Sequence, residues 1–139
     1  MNIRKAGLFL MVLLFTDYSF SSSAMNDVVQ GCESPEDQVT ARICLEAEKE
    51  KAEQKLIELE KKMRATINAW DEEKSYRESA LAKFESSVLT FREYVESACG
   101  FDESAAAGGN GASSMRSACV VELLDTRARM LDERIGWFK

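Results

Sequence analysis

Four cysteines carry the clearest chemical signal in this chain of 139 residues. They are Cys32, Cys44, Cys99 and Cys119. A protein metal site needs closely paired ligands, usually with histidine, whereas these spacings are wide and the chain contains no histidine. An even number of well-separated cysteines in an exported chain is typical of disulfides. We therefore predict two disulfide bonds, no metal and no cofactor.

The residue types also argue against an enzyme. Histidine is the commonest general base and the usual partner of a serine or cysteine nucleophile, and it is absent here. No glycine-rich phosphate loop follows a strand pattern. Carboxylates are plentiful, but those in the charged run from Glu46 to Lys62 fit a solvated helix face. We predict a protein that acts by binding and has no catalytic residues.

The first 24 residues have the three parts of a secretory signal peptide. Arg4 and Lys5 precede a ten-residue apolar run, and small residues ending in Ala24 follow it. The apolar run is too short to serve as a permanent membrane anchor. We predict cleavage after Ala24, a single domain over residues 25–139, a periplasmic location and no stable membrane anchor.

The charge of the chain favours a cationic partner. The whole chain has 18 basic and 24 acidic residues, and loss of the leader with Arg4, Lys5 and Asp17 leaves 16 and 23, a net charge of −7. Nucleic acids demand a basic surface, so they are excluded as partners. Complementary charge raises encounter rates with a cationic protein, although acidity also serves plain solubility.

The spacing of apolar residues predicts three helices and no strand. The first runs from Val39 to about Trp70, the second from Tyr76 to Ala98, and the third from Met115 to about Ile135. The second helix has a seam at Leu81, Phe84, Val88, Phe91, Val95 and Ala98. We take it as the middle helix of a small antiparallel bundle, an all-α fold.

Glycine marks the connection between the second and third helices. Gly100 is expected to end the second helix, since glycine commonly closes helices. Four of the seven glycines lie between Gly100 and Ser113, which predicts a loop of about 14 residues. Such long loops are usually functional or disordered.

The predicted bundle brings two cysteines together. Cys99 closes the second helix and Cys119 lies in the first turns of the third. Antiparallel neighbours place such ends side by side, within the reach of a disulfide. We predict a Cys99–Cys119 bond that holds the loop at its base.

The other predicted disulfide joins Cys32 to Cys44. A continuous helix from Pro35 to Cys44 would rise about 13 Å, which is too far for the bond. We therefore expect a break near residues 38–41, with Thr40 as a second helix cap. Four cysteines allow three connectivities, so a pairing of either cysteine with one of the two later ones stays open.

Two arginines are predicted to form structural ion pairs. Arg92 adjoins Phe91 on the seam, and Arg127 lies between Leu124 and Leu131 on the third helix. An unpaired buried charge is costly, so each guanidinium is expected to have a carboxylate partner. The candidate partners are Glu53, Glu60 and Glu85.

The order of these features resembles that of the small exported bacterial proteins related to the lysozyme inhibitor LprI. Their pattern has a cysteine pair near the mature N-terminus, a helix ending in a third cysteine, a glycine-rich loop, and a fourth cysteine with a trailing arginine and leucine. The matching residues are Cys32, Cys44, Leu81, Phe91-Arg92-Glu93, Cys99, Gly108-Gly109-Asn110-Gly111, Cys119, Leu124, Arg127 and Leu131. The resemblance covers nearly all of residues 25–139 and implies inhibition of lysozyme by a diverged member.

We accordingly expect an exported inhibitor of a wall-degrading hydrolase such as lysozyme. Lysozymes are usually cationic and cleave with a pair of carboxyl groups, so an acidic domain with a stapled loop can steer to the cleft and block it. The predicted contact residues are Asp102, Glu103, Ser104 and Asn110. The alternatives are an immunity protein that neutralises a toxin delivered to the periplasm, and a general periplasmic binding module. The aromatic tail Trp137-Phe138 offers a contact for a homo-oligomer.

Overall fold

The computed structural model describes residues 31–32, 37–109 and 111–138. It contains three long helices, α1 (Gln38–Ala69), α2 (Lys74–Ala105) and α3 (Ala112–Ile135). Strands are absent from these residues, and the predicted all-α fold is confirmed. The expected signal peptide, residues 1–24, and the start of the expected domain at residue 25 lie outside the described residues.

Cross-helix ion pairs show that α1 and α3 run in the same direction. Lys55 Nζ lies 2.9 Å from Asp125 Oδ1, and Lys62 Nζ lies 3.9 Å from Asp132 Oδ1. The two partners advance together along their helices, as they must in a parallel pair. Within the described residues, none of the helices has the length and apolar character needed to cross a membrane.

Helix α2 runs antiparallel to α1. Arg64 Nε lies 2.6 Å from Glu85 Oε1, and the earlier residue Glu60 pairs with the later residue Arg92. Because the earlier residue of α1 pairs with the later residue of α2, the two helices run in opposite directions. The bundle is therefore up-down-up, as is usual when short connections join neighbouring helices.

Helix α3 supplies the centre of the core, a role that the sequence analysis gave to α2. It packs most extensively against α1 and α2, which contact each other least. Its buried face is broad because adjacent residues are buried together: Ser117, Cys119, Val120, Val121, Leu124, Ala128 and Leu131. A face of that width can cover two partners, whereas the narrow seam of α2 buries only Phe84, Val88, Val95 and Cys99.

Asp37 begins α1. Its carboxylate accepts a hydrogen bond from the Val39 amide at 2.9 Å and another from the Thr40 hydroxyl at 2.5 Å. The cap is therefore Asp37 and not Thr40, and the expected break near residues 38–41 is wrong because α1 is continuous from Gln38. Pro35 lies outside the described residues. Cys32 is bonded to Cys44, with a Cα–Cα distance of 5.5 Å. The predicted Cys32–Cys44 bond is present.

The expectation that Gly100 ends α2 is wrong. The helix continues to Ala105 and α3 begins at Ala112, so only residues 106–111 connect the two helices. Arg116 explains the continuation, because its guanidinium binds Glu96 and Glu103, one on each side of Gly100 along α2. A glycine in a helix interior costs only about 1 kcal/mol relative to alanine, and these tertiary contacts outweigh that cost.

The C-terminal tail divides between core and surface. Phe138 packs against the core, with its ring centroid 5.1 Å from that of Trp70 in an edge-to-face arrangement. Trp137 is 72% exposed and lies beside the Arg134 guanidinium. Trp137 is therefore the more exposed of the two aromatic residues.

Candidate functional site

The end of the bundle that carries the α2–α3 turn holds most of the predicted contact residues. Asp102, Glu103 and Ser104 lie on the last two turns of α2 and not in a loop. Asn110 lies outside the described residues. We call this region the turn end, comprising the start of α1 (37–46), residues 100–109 and the first turns of α3 (111–117).

A disulfide and a branched ion pair fix the shape of the turn end. Cys99 and Cys119 are bonded as predicted, with a Cα–Cα distance of 5.5 Å, and Cys99 is fully buried. Arg116 on α3 binds Glu96 at 2.6 Å and Glu103 at 3.4 Å. Three links therefore join α2 to α3 within a few turns, so side chains on this surface are held by a rigid frame.

The carboxylates at the turn end differ in whether they form ion pairs. Glu103 is partly neutralised by Arg116, whereas no ion pair of the described residues includes Asp102. The Ser104 hydroxyl donates to the Gly100 carbonyl at 2.8 Å, so it serves its own helix. Asp102 is the predicted contact whose charge is most available to a partner.

Hydrogen bonds keep two further carboxyls of this end ionised. The pKa of Asp37 is lowered by hydrogen bonds from the Thr40 hydroxyl and the Val39 amide. The pKa of Glu46 is lowered, first by its bond with Lys49 and then by the bond that Ser117 donates from α3. Because a bonded carboxylate is favoured in its charged form, the surface stays negative into mildly acidic conditions.

Exposed apolar side chains accompany these charges and were missed by the sequence analysis. Phe101 is 71% exposed and Met115 46% exposed, one on each side of the turn. Val39 and Ile43, at 54% and 64%, lie at the same end on α1. Aromatic residues and methionine are enriched in protein interfaces and often provide binding energy. These residues lie off the apolar stripe that packs into the core, and that position in the sequence pattern could have predicted their exposure.

Neither of the two predicted ion-pair arginines lies at the turn end. Arg92 Nη2 is 3.5 Å from Glu60 Oε2, and Glu60 is buried. Arg127 instead donates to the Ser87 hydroxyl at 2.7 Å and lies over the Phe91 ring at 5.5 Å. Within the described residues no carboxylate lies within 4.0 Å of Arg127.

The chemistry available at the turn end is that of recognition. Three or more side chains able to hold a metal ion do not cluster anywhere in residues 31–32, 37–109 and 111–138. The surface joins a negative charge at Asp102 to apolar anchors at Phe101 and Met115 on a rigid frame. An arrangement of this kind suits binding to another protein.

Comparison with known proteins gives one family. The family described as lysozyme inhibitor LprI matches residues 31–131, a span that includes both disulfides, α1, α2 and most of α3. Comparison with curated proteins gives no match, and comparison with solved structures gives none. The resemblance found in the sequence is confirmed.

Proposed function

The chain belongs to the lysozyme inhibitor LprI family, and from that premise we propose that it is an exported protein that binds and blocks a lysozyme-type, peptidoglycan-degrading hydrolase. Membership of this family supports a general role in lysozyme inhibition, and such a role implies a protein partner. The match over residues 31–131 is the observation that carries the proposal. The action is inhibitory, with no reaction performed by this chain.

The turn end is the surface proposed to contact the hydrolase. Lysozymes are usually cationic, so the carboxylate of Asp102 and the net charge of −6 favour encounter. The exposed Phe101 and Met115 offer apolar area that is buried on binding. The disulfide and the Arg116 pairs hold these groups in place before contact, which reduces the entropy lost on association.

The place of action is proposed to be the periplasm, reached through the leader. Residues 1–24 have the signal-peptide pattern, with cleavage after Ala24 and a mature domain over residues 25–139. Two disulfides suit an oxidising compartment. Mass spectrometry of the protein recovered from the periplasm is expected to give a chain beginning at Met25 that lacks free thiols. An uncleaved chain in the cytosol would contradict this proposal.

Inhibition is tested by adding the purified protein to a panel of lysozymes and following lysis of bacterial cells. We expect lytic activity to fall at a near-stoichiometric ratio for at least one member of the panel. Isothermal titration with the same lysozyme should give one binding site. Undiminished lysis across the panel would overturn the proposed function.

The contact surface is tested by reversing its charge. Asp102→Lys together with Glu103→Lys is expected to weaken inhibition by at least about tenfold, because like charges then face a cationic enzyme. The matched control is Glu72→Lys with Glu133→Lys, which changes net charge equally at the other end of the bundle and should leave potency nearly unchanged. Equal losses in both variants would show that net charge matters and the turn end does not.

Truncation of an apolar anchor tests the same surface without changing charge. Phe101→Ala is expected to cost about 2 kcal/mol of binding, roughly thirtyfold in affinity, if Phe101 is an interface anchor. Leu89→Ala is the matched control, since Leu89 is 67% exposed on the same helix but lies outside the turn end. Unchanged affinity for Phe101→Ala would move the contact elsewhere.

A further inference from the structure

A cavity of about 260 Å³ opens at the end of the bundle opposite the turn end. All three helices and the C-terminal tail contribute to it. Phe84, Leu131 and Phe138 form apolar walls, and Lys83, Arg127 and Arg134 bring cationic groups to the same space. The cavity therefore combines an apolar interior with positive charge from two different helices.

The positive charge is unusual for this protein. The chain carries a net charge of −6, yet the side chains around the cavity include three cations and no carboxylate. None of the ion pairs formed by the described residues includes Lys83, Arg127 or Arg134. A local excess of cations in an acidic protein favours an anion at this place.

Arg127 is the group with most to gain from such an anion. Its Nη2 donates to Ser87, but its Nε is buried and has no hydrogen-bond partner. A buried donor without an acceptor is costly, more so when the group is charged. Burial lowers the pKa of Arg127, the charge of Glu60 raises it in part, and the nearby charge of Arg134 lowers it further. A carboxylate bound in the cavity would offset the repulsion between the guanidiniums of Arg127 and Arg134.

We propose that this cavity binds a small amphipathic carboxylate, with its apolar body against Phe84, Leu131 and Phe138 and its carboxylate between Arg127 and Arg134. The cavity of about 260 Å³ is open to solvent and has room for a short carbon chain. Carboxylates suit arginine because the guanidinium offers paired donors in a plane. This ligand site is separate from the surface proposed to contact the hydrolase.

One other occupant would satisfy part of the same chemistry. A water molecule between Arg127 Nε and Glu60 Oε1 would pair two buried atoms that both lack partners. A water molecule does not use the apolar walls, so a ligand with an apolar body distinguishes the proposal from it.

Titration with sodium hexanoate tests the site directly. The chain has two tryptophans, Trp137 at the cavity and Trp70 against Phe138, so intrinsic fluorescence reports occupancy. We expect saturable quenching or a shift of emission, together with a shift of the Arg127 Nε–H resonance in a nitrogen-15 NMR spectrum. Hexanamide, which has the same size without the charge, should bind about tenfold more weakly.

Two substitutions, one at the cavity and one away from it, test where the ligand binds. Arg134→Gln is expected to weaken hexanoate binding about tenfold and to leave hydrolase inhibition unchanged, whereas Lys61→Gln, an exposed cation on α1, should have no effect on either. Equal binding of hexanoate and hexanamide, or no saturation, overturns the proposal.

Discussion

Glu60 is a buried carboxylate whose negative charge acts on two arginines, Arg92 and Arg127. It continues the core spacing Leu56, Met63, Ile67 on α1 and is only 4% exposed. One carboxylate oxygen lies 3.5 Å from Arg92 Nη2, and its charge also acts on Arg127, whose pKa it raises against the larger effect of burial. The carboxylate therefore offsets positive charge contributed by both other helices.

Removal of that charge should destabilise the bundle. Glu60→Gln keeps the size of the side chain but leaves Arg92 and Arg127 without a counter-charge. Breaking a buried pair can cost 3–5 kcal/mol, but the Arg92 side chain is 41% exposed, so we expect about 1–2 kcal/mol. Urea unfolding at neutral pH measures it. Glu58→Gln, an exposed neighbour, should change stability by less than about 0.5 kcal/mol, and equal midpoints for the two variants would contradict this role of Glu60.

The carboxyl of Glu46 should make stability depend on pH. Hydrogen bonds from Lys49 and Ser117 lower its pKa below the usual 4.5, so the folded state favours the ionised form. Its contribution is present above the unfolded pKa and is lost as pH falls through the folded one. Because the side chain is 47% exposed, we expect about 0.5–1 kcal/mol.

Comparison with Glu46→Gln isolates this effect. Urea unfolding of both proteins should show a difference in stability at about pH 7 that shrinks as pH falls below the lowered pKa of Glu46, because the protonated glutamate is neutral like glutamine. A difference that stays constant over this range would show that the ionised form has no special stability. Asp37 shifts in the same direction in both proteins, so its contribution cancels in the comparison.

At the scale of the helix, α2 has a glycine in its interior, where alanine is favoured, and an alanine just after its end, where glycine is favoured. Gly100 lies inside the helix, and a Cβ there would be 3.5 Å from Arg116 Nη1, an ordinary contact. Ala107 follows the helix end with φ of 51°, in the left-handed region that L residues avoid. The Ala106 amide, at the helix end itself, is bonded to carbonyls of the last turn.

Alanine at position 100 and glycine at position 107 should each stabilise the protein. Gly100→Ala is expected to add about 0.5–1 kcal/mol, and Ala107→Gly about 1 kcal/mol. Gly108→Ala is the matched control with the opposite sign, because Gly108 has φ of 73° and alanine there is strained. Thermal unfolding measures all three. A stabilising Gly108→Ala would contradict the turn geometry.

Apolar spacing was enough to predict the three helices, since Phe84, Val88 and Val95 face the core as the seam requires. The prediction was wrong at the end of α2, because Gly100 does not end the helix. The contacts that carry the helix past Gly100 come from Arg116, sixteen residues later, and no local pattern reveals them. The same shift moved Asp102 and Glu103 from a loop onto a helix. Their contact with a hydrolase stays a prediction.

At the scale of the whole molecule, the two ends of the bundle differ in charge and in shape. The turn end presents carboxylates and protruding apolar side chains such as Phe101. The opposite end has a concave space with Lys83, Arg127 and Arg134 around it. Since α1 and α3 run parallel and span the length of the bundle, each end includes parts of all three helices. One end therefore suits a large cationic partner and the other a small anion.

Loss of the disulfide at the turn end should lower both the stability of the protein and its inhibition of the hydrolase. Cys99→Ala with Cys119→Ala opens a link between residues 20 apart in sequence, which is expected to cost about 3 kcal/mol. Domains of this size have about 5–15 kcal/mol, so the variant should still fold, with a lower urea midpoint. Phe101 and Met115 flank this link, so the loss of their fixed arrangement should also weaken hydrolase inhibition under conditions where the variant is fully folded. Potency equal to that of the unaltered protein would show that the disulfide stabilises the fold without organising the contact surface.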